Sequence, residues 1–352
     1  MKICGINTTL LGDAATNQSG SCLVELSTDS GLTGLALAHP WAEKTILGMA
    51  KSLLNGEDPR GVFTHWENAE KWIENDADAA GIHARAALDI ALWDLKAKAQ
   101  SEPLWKTLGA GRPRVNGYAS WSEAAEEARP FEEWLNQVSG AYGMRAGKLL
   151  LNQNSGSLKQ RLSDLRNALN ANTHEPQLML DAGRHWLPKE AIRHIRDLES
   201  EFDLTWVSGV AEPGDFRGSL AVSNGIRAAV CAGKTFRHIS EYLPYLQNYA
   251  ADVIEINMHY SGITGALQLA DAAFGVELPV TLSAYPGNVQ VHLASALPYC
   301  MSVEASGAFS ADSLMHSNVF FESGWGLAGD EPGNGLAADN QSAGQRPHKS
   351  VS

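Results

Sequence analysis

One carboxylate stands out by its position in the chain. The apolar run Leu178 to Leu180 ends abruptly in Asp181, and turn-forming and polar residues follow before a helix-like segment starts at Pro188. A short apolar run closed by one charge is how a buried parallel strand delivers that charge to a site. The chemistry then depends on what other strand ends bring to it. The sequence holds no HExxH, GxSxG, P-loop or Cys/His nucleophile arrangement. Its Gly109-Ala-Gly111 follows a helical run and lacks the third glycine of a dinucleotide fingerprint. Cys4, Cys22, Cys231 and Cys300 are scattered without CxxC or zinc spacing and read as reduced thiols of a cytoplasmic protein.

The elements that must position Asp181 can be read from pattern. At 352 residues, 44% hydrophobic and 19% charged, the chain can bury a large core. A net charge of −13 without any basic cluster argues against nucleic acid or an anionic membrane as partner and leaves a small molecule as the default. No apolar span of roughly 20 residues appears. Residues 21–28 and 32–38 flank Asp29-Ser-Gly31 as a hairpin, and residues 12–20 form a small, polar loop expected to be mobile. Ala87, Leu88, Ala91, Leu92 and Leu95 form an apolar stripe on a helix from Ala84 to Ala99, where Asp94 and Lys98 can pair at i,i+4. Beyond the Gly/Pro boundary near Pro113, strand patterns fall at 115–120, 145–151, 177–180, 204–208, 226–232, 253–257, 278–282 and 301–304, with helical segments between them. That alternation predicts an α/β fold, a (β/α)8 barrel or a doubly wound open sheet, with the active face at the C-terminal strand ends in either case.

The run Ala84-Arg-Ala-Ala-Leu-Asp-Ile-Ala-Leu-Trp-Asp-Leu-Lys-Ala-Lys98, followed by Glu102-Pro-Leu-Trp-Lys-Thr-Leu-Gly109, resembles the helix signature of the mandelate racemase and muconate lactonizing branch of the enolase superfamily. Asp29-Ser-Gly-Leu-Thr-Gly34, Tyr118-Ala-Ser120 and Pro332-Gly-Asn-Gly-Leu336 are similar to its N-terminal hairpin, first barrel strand and C-terminal return. The resemblance implies an enolase-like fold, a modified (β/α)7β TIM-type barrel under an α+β capping domain. Residues 1–114 would form the cap, 115–317 the barrel, and 318–352 a segment returning to the cap plus a polar tail. It also implies a homo-oligomer, Mg2+ held by carboxylates on the third, fourth and fifth barrel strands, and lysine or histidine bases that remove a proton beside a substrate carboxylate. A divalent cation can stabilise the developing enediolate by several kcal/mol.

Residue by residue, the family pattern is eroded. Lys148 matches the first lysine of the second-strand Lys-x-Lys, but Leu150 stands at the second and directs an alkyl chain into the site. Asp181 matches the first metal ligand, with Gly183 where an asparagine is common. Ser208 occupies the fourth-strand ligand position; a local gap would promote Glu212 instead. On the fifth strand Gly233-Lys234 replaces Gly-Glu. Asn257 stands for the sixth-strand aspartate and Ser283, with Tyr285 nearby, for the histidine of racemases, while Glu304 keeps an acid at the end of the eighth strand. His185 lies where some acid-sugar dehydratases carry a histidine acid, and otherwise reads as an exposed loop residue.

A carboxylate, a hydroxyl and an ammonium do not make the oxygen-rich shell of Mg2+, so no metal cofactor is expected. Lys234 is expected to set its ammonium roughly where the metal would be, paired with Asp181. It then either patches a vacated metal site or, with Lys148, forms a cationic pocket. Three functions follow: a degenerate relative that binds a carboxylate or acid sugar or serves an assembly role without the ancestral proton transfer, a metal-independent enzyme using Lys148, His185, Lys234 and Glu304, and a Mg2+-dependent isomerase, cycloisomerase or dehydratase in another register. Asp181, Ser208, Asn257, Ser283 and Tyr285, with the two lysines, are the expected substrate contacts.

Overall fold

The computed structural model describes residues 1–11, 21–73, 78–122, 130–151, 158–306 and 315–338. The expected mobile loop at 12–20 and nearly all of the polar tail lie outside these residues. Strands β1 (Ile3–Leu11), β2 (Ser21–Thr28) and β3 (Thr33–Ala38) form an antiparallel sheet, with Cys22 paired to Ala38 and Ser27 to Thr33 across the predicted hairpin. Helices α1 (Glu43–Leu53), α2 (Val62–Trp72) and α3 (Ala79–Ala99) complete the cap. Asp78 caps α3, its side chain accepting the N–H of Gly81.

Helix α3 is not the one-sided amphipathic helix its apolar stripe suggests. Nearly every residue from Gly81 to Ala97 is buried, including His83, Arg85, Asp89 and Asp94. The polar face meets other protein instead of water. Asp89 accepts hydrogen bonds from the N–H groups of Ile263 and Thr264 at 2.7 and 2.8 Å and from the Thr264 hydroxyl at 2.5 Å. Cap and barrel are thus joined by buried polar contacts, which must be satisfied to be tolerated.

After the short α4 (Leu104–Thr107) the chain enters eight parallel strands: β4 (Arg114–Ser122), β5 (Ala146–Leu150), β6 (Gln177–Asp181), β7 (Leu204–Ser208), β8 (Ala229–Ala232), β9 (Val253–Ile256), β10 (Val280–Leu282) and β11 (Cys300–Glu304). The strands follow one another in sheet order, and β11 pairs with β4 through Val303–Gly117 and Glu304–Tyr118, so the sheet closes. Closure removes the doubly wound alternative, which would leave two edges. Helices α5 (Phe131–Ser139), α6 (Leu158–Leu169), α7 (Pro188–Glu199), α8 (Phe216–Ser223), α9 (Ile239–Asn248), α10 (Met258–Ser261) with α11 (Thr264–Phe274), and α12 (Gln290–Ala294) fill the connections, which is the (β/α)7β arrangement. No helix among the described residues is long and apolar enough to cross a membrane.

Past the barrel, β12 (Met315–Ser317) pairs with β15 (Leu336–Ala338), and the hairpin β13 (Phe320–Glu322) and β14 (Trp325–Leu327) adds antiparallel to the start of β4. The chain reaches the cap at Asn334, whose Nδ2 donates to the Leu35 carbonyl at 2.8 Å.

Tyr285, expected at the substrate, is buried between cap and barrel: its hydroxyl donates to the Leu37 carbonyl at 2.5 Å and accepts the Leu37 N–H at 3.0 Å. Tyr285→Phe strands both backbone groups of Leu37. We expect it to cost about 1–3 kcal/mol in urea unfolding while the circular dichroism stays native; an unchanged midpoint would refute the tether.

Candidate functional site

The C-terminal strand ends bring several of the expected residues together. Parallel pairing sets Leu150 beside Asp181, Asp181 beside Ser208, and Ser208 beside Cys231. Lys234 follows two residues after β8 and reaches back, its Nζ 3.8 Å from Asp181 Oδ2. Their side chains are 33% and 13% exposed, so the pair stands at the water boundary. The other oxygen, Asp181 Oδ1, accepts the Gly183 N–H at 3.0 Å. Gly209 has φ of 65°, and a Cβ there would lie 2.5 Å from Asp181 Oδ1. Glycine is required where the backbone folds this closely over a carboxylate.

Asp181, Arg184, Ser208, Lys234 and Glu255 line part of a cavity of about 250 Å3. The Ser208 hydroxyl is buried there without a hydrogen-bond partner among the described residues. Arg184 is exposed, and its guanidinium makes no ion pair with a described residue. The mouth therefore offers two cationic groups and an unused hydroxyl beside two carboxylates, Asp181 and Glu255, each of which already faces a lysine.

Directly below lies a charge cluster of which sequence reasoning found only part. Lys148 is fully buried; its ammonium lies 3.1 Å from Glu304 Oε2 and 3.6 Å from Glu255 Oε1, and donates to the Tyr118 hydroxyl at 3.4 Å. It also sits 5.0 and 5.4 Å from the Tyr118 and Trp206 ring centroids. Ser283 donates to Glu255 Oε1 at 2.7 Å, and Gln290 Nε2 donates to the Glu304 carbonyl at 2.8 Å. Burial alone would drive the Lys148 proton off, but Glu255 and Glu304 outweigh it and hold its pKa well above the ordinary lysine value. For Glu304 burial acts upward, and the charges of Lys148 and Lys234 reverse it, holding the carboxyl down at about 2. Lys148 thus has no lone pair to take a proton, and Glu304 has no proton to give at neutral pH.

Glu255 was the missed member. It lies two residues before Asn257 on β9, so a glutamate inside the run Val253-Ile-Glu-Ile256 was the available sign of a second inward-facing group.

The remaining candidates go elsewhere. Asn257 uses its side chain as a splice, Nδ2 donating to the Lys234 carbonyl at 3.0 Å and Oδ1 accepting the His259 N–H at 3.0 Å as the cap of α10. The His185 ring turns to the Leu151 carbonyl at 3.2 Å and does not line the cavity. Glu212 is exposed beyond the end of β7 and does not line it either. The positions flanking Asp181 therefore present Ser208 and Lys234, and this donor set does not fit Mg2+, which needs an octahedron of oxygens and no ammonium in its place.

A closed (β/α)7β barrel with charged strand ends beneath an α+β cap defines the enolase class of barrel proteins. The chain belongs to the mandelate racemase/muconate lactonizing enzyme family: residues 11–109 match its N-terminal domain and residues 131–342 the enolase C-terminal domain-like family. It is 25% identical over 336 residues to a D-mannonate dehydratase of Novosphingobium aromaticivorans, covering 84% of this chain and 82% of that one. To an L-Ala-D/L-Glu epimerase of Clostridium acetobutylicum it is 27% identical over 267 residues, 73% and 72% of the two chains. The crystal structure of an L-talarate dehydratase from Polaromonas sp. JS666, complexed with Mg and L-glucarate, superposes with a TM-score of 0.82 at 25% identity, covering 99% of both chains.

Proposed function

We propose that this family member binds a small carboxylate or acid sugar at the barrel mouth and has lost metal-assisted proton abstraction. The observation that carries the reading is the Lys234 ammonium 3.8 Å from Asp181 Oδ2, where its own family expects a carboxylate to share a cation with Asp181. The loss of a base supports it independently, since Leu150 replaces the second lysine and Lys148 is held protonated by Glu255 and Glu304. A ligand carboxylate would take charge from Arg184 and Lys234 and a hydrogen bond from Ser208 Oγ. Those groups are available in the cavity, and the relatives whose names specify a substrate act on acids.

Calorimetry with Mg2+ and with Mn2+ should show no binding that depends on Asp181, and a panel of aldonates and aldarates should include ligands that bind equally well in EDTA. Arg184→Gln should weaken such a ligand by about tenfold or more, the scale of one lost charge-assisted hydrogen bond. Stoichiometric Mg2+ binding abolished by Asp181→Asn would refute the reading. Lys234→Glu separates its two roles: loss of stability with ligand affinity intact makes Lys234 a patch, and loss of anion affinity in a stable protein makes it part of the pocket.

A further inference from the structure

Away from the strand-end cavity, three histidines from distant parts of the chain meet where cap and barrel join. His39 follows β3, His83 lies in the first turns of α3, and His259 lies in α10 after β9. One ring nitrogen from each lies within 4.8 Å of the other two. Ring centroids are 5.0 Å apart for His39 and His83, 4.9 Å for His39 and His259, and 6.1 Å for His83 and His259. Among the described residues none of these rings makes a hydrogen bond. Three imidazoles thus place unused nitrogens within reach of one small cation.

We infer that His39, His83 and His259 form a binding site for a divalent first-row transition ion, Zn2+ being the fitting example, which fastens the cap to the barrel. Zn2+ binds imidazole nitrogen at about 2.0–2.1 Å, which in a tetrahedron separates nitrogens by about 3.4 Å. Rotation of the rings by roughly 1 Å at the nitrogens closes the present triangle to that size. The set suits an imidazole-preferring ion and not Mg2+ or Ca2+, which want oxygen.

Burial lowers the pKa of all three imidazoles, helped at His83 by the charges of His39, His259 and Arg237 and at His259 by that of His39, a direction that favours the neutral form a metal binds. His83 is buried while His39 and His259 are partly exposed, so the fourth position faces solvent and takes water. Trp41, 55% exposed, stacks on His39 at 5.7 Å and meets His83 edge-on at 4.7 Å, covering one flank. Tyr285 packs against His259 at 4.8 Å, which links the site to the same cap tether. The charge of Arg237 near His83 opposes a dication.

The site has no sequence signature because its ligands come from three separate segments instead of one local spacing. It is independent of the reading given for Asp181.

The test is Zn2+ titration of the untagged, chelator-treated chain by calorimetry, with Co2+ absorption reporting coordination geometry. Expected are one Zn2+ per chain with a Kd below about 10 μM and a Zn2+-dependent rise in Tm. His39→Gln and His259→Gln, both at partly exposed positions, should each weaken Zn2+ by at least about 100-fold, because losing even an outer partner of a metal ligand costs 10- to 100-fold. Both should keep the native circular dichroism, and Asp181→Asn should bind Zn2+ as the parent does. No uptake by the folded parent, undiminished binding in both histidine variants, or loss of binding in Asp181→Asn overturns the proposal. Mg2+ binding abolished by Asp181→Asn would instead sink the reading of the barrel mouth and leave this site standing.

Discussion

Lys148→Met should destabilise the protein by about 3–5 kcal/mol at pH 7, the cost of removing one partner from a buried charge cluster. Methionine matches the lysine stem in volume, so little of the loss comes from packing. What remains is Glu304 and Glu255 facing each other inside the barrel with the shared ammonium gone. The pH dependence identifies the cause. In the parent the Glu304 pKa is depressed to about 2, below the ordinary glutamate value, so its contribution is present above about pH 4.5 and is lost as pH falls toward 2. In Lys148→Met the burial of Glu304 is opposed only by the charge of Lys234 and the Ser120 hydrogen bond, and we expect a buried carboxyl pKa to rise above its unfolded value. The contribution of that group is then present at acid pH and disappears as pH rises through the raised pKa. Urea unfolding from pH 4.5 to 8 should show the stability gap between variant and parent widening with pH. A gap below about 1 kcal/mol at pH 7, or one independent of pH, would show that the cluster is not held by charge. Adding Glu255→Gln and Glu304→Gln should recover much of the loss, because neutral polar groups can be buried with hydrogen bonds alone.

The cluster also marks where sequence reasoning stopped. Asp181 was legible because a parallel strand buried on both faces ends in an abrupt change of residue type, and Ser208 and Lys234 because the resemblance to the family marks the positions where its ligands stand. The eight strands follow from the same pattern, with no bound off by more than two residues except the start of β8, where residues 226–228 precede the strand. Glu255 obeyed the alternation of strand faces, but a glutamate flanked by isoleucines on both sides reads as an interruption until its partner across the barrel is known. Lys148 looked like a cation available to a ligand, and only closure of β4 on β11 showed that Glu304 and Tyr118 stand beside it. The histidine cluster could not be read at all, since it depends on how the cap is set on the barrel. Asn257 and Tyr285 were placed at the right strand ends but face structural duties, because position along a strand does not say whether a side chain beyond its last residue turns inward or toward the cap.

Asp94→Ala should be comparably damaging, although nothing in this residue touches the candidate site. The i,i+4 pairing with Lys98 was legible and is present at 2.6 Å, but on a fully buried carboxylate. Asp94 Oδ2 also accepts the Leu35 N–H at 2.8 Å, and Oδ1 accepts the Asn334 N–H at 2.7 Å. One side chain thus joins β3, α3 and the segment returning from the barrel. Alanine would leave two buried N–H groups without acceptors, each costing about 1–3 kcal/mol, so a total of about 3–5 kcal/mol is expected in urea unfolding. Burial pushes the Asp94 pKa up against the pull of Lys98 and its hydrogen bonds, so ionising it in the folded protein has a cost that grows as pH rises through the raised pKa. A neutral side chain would avoid that cost, yet asparagine cannot replace it fully. Its one oxygen can serve Leu35 or Asn334, and its amide then points N–H groups at the other donor. Asp94→Asn should therefore fall between parent and alanine, and Lys98→Met should cost less than either because Lys98, 21% exposed, already meets water and binds the Thr33 carbonyl at 2.8 Å. Measured in that order, the series attributes the cost to unmet backbone donors; an asparagine variant as stable as the parent would move it to the ion pair's charge.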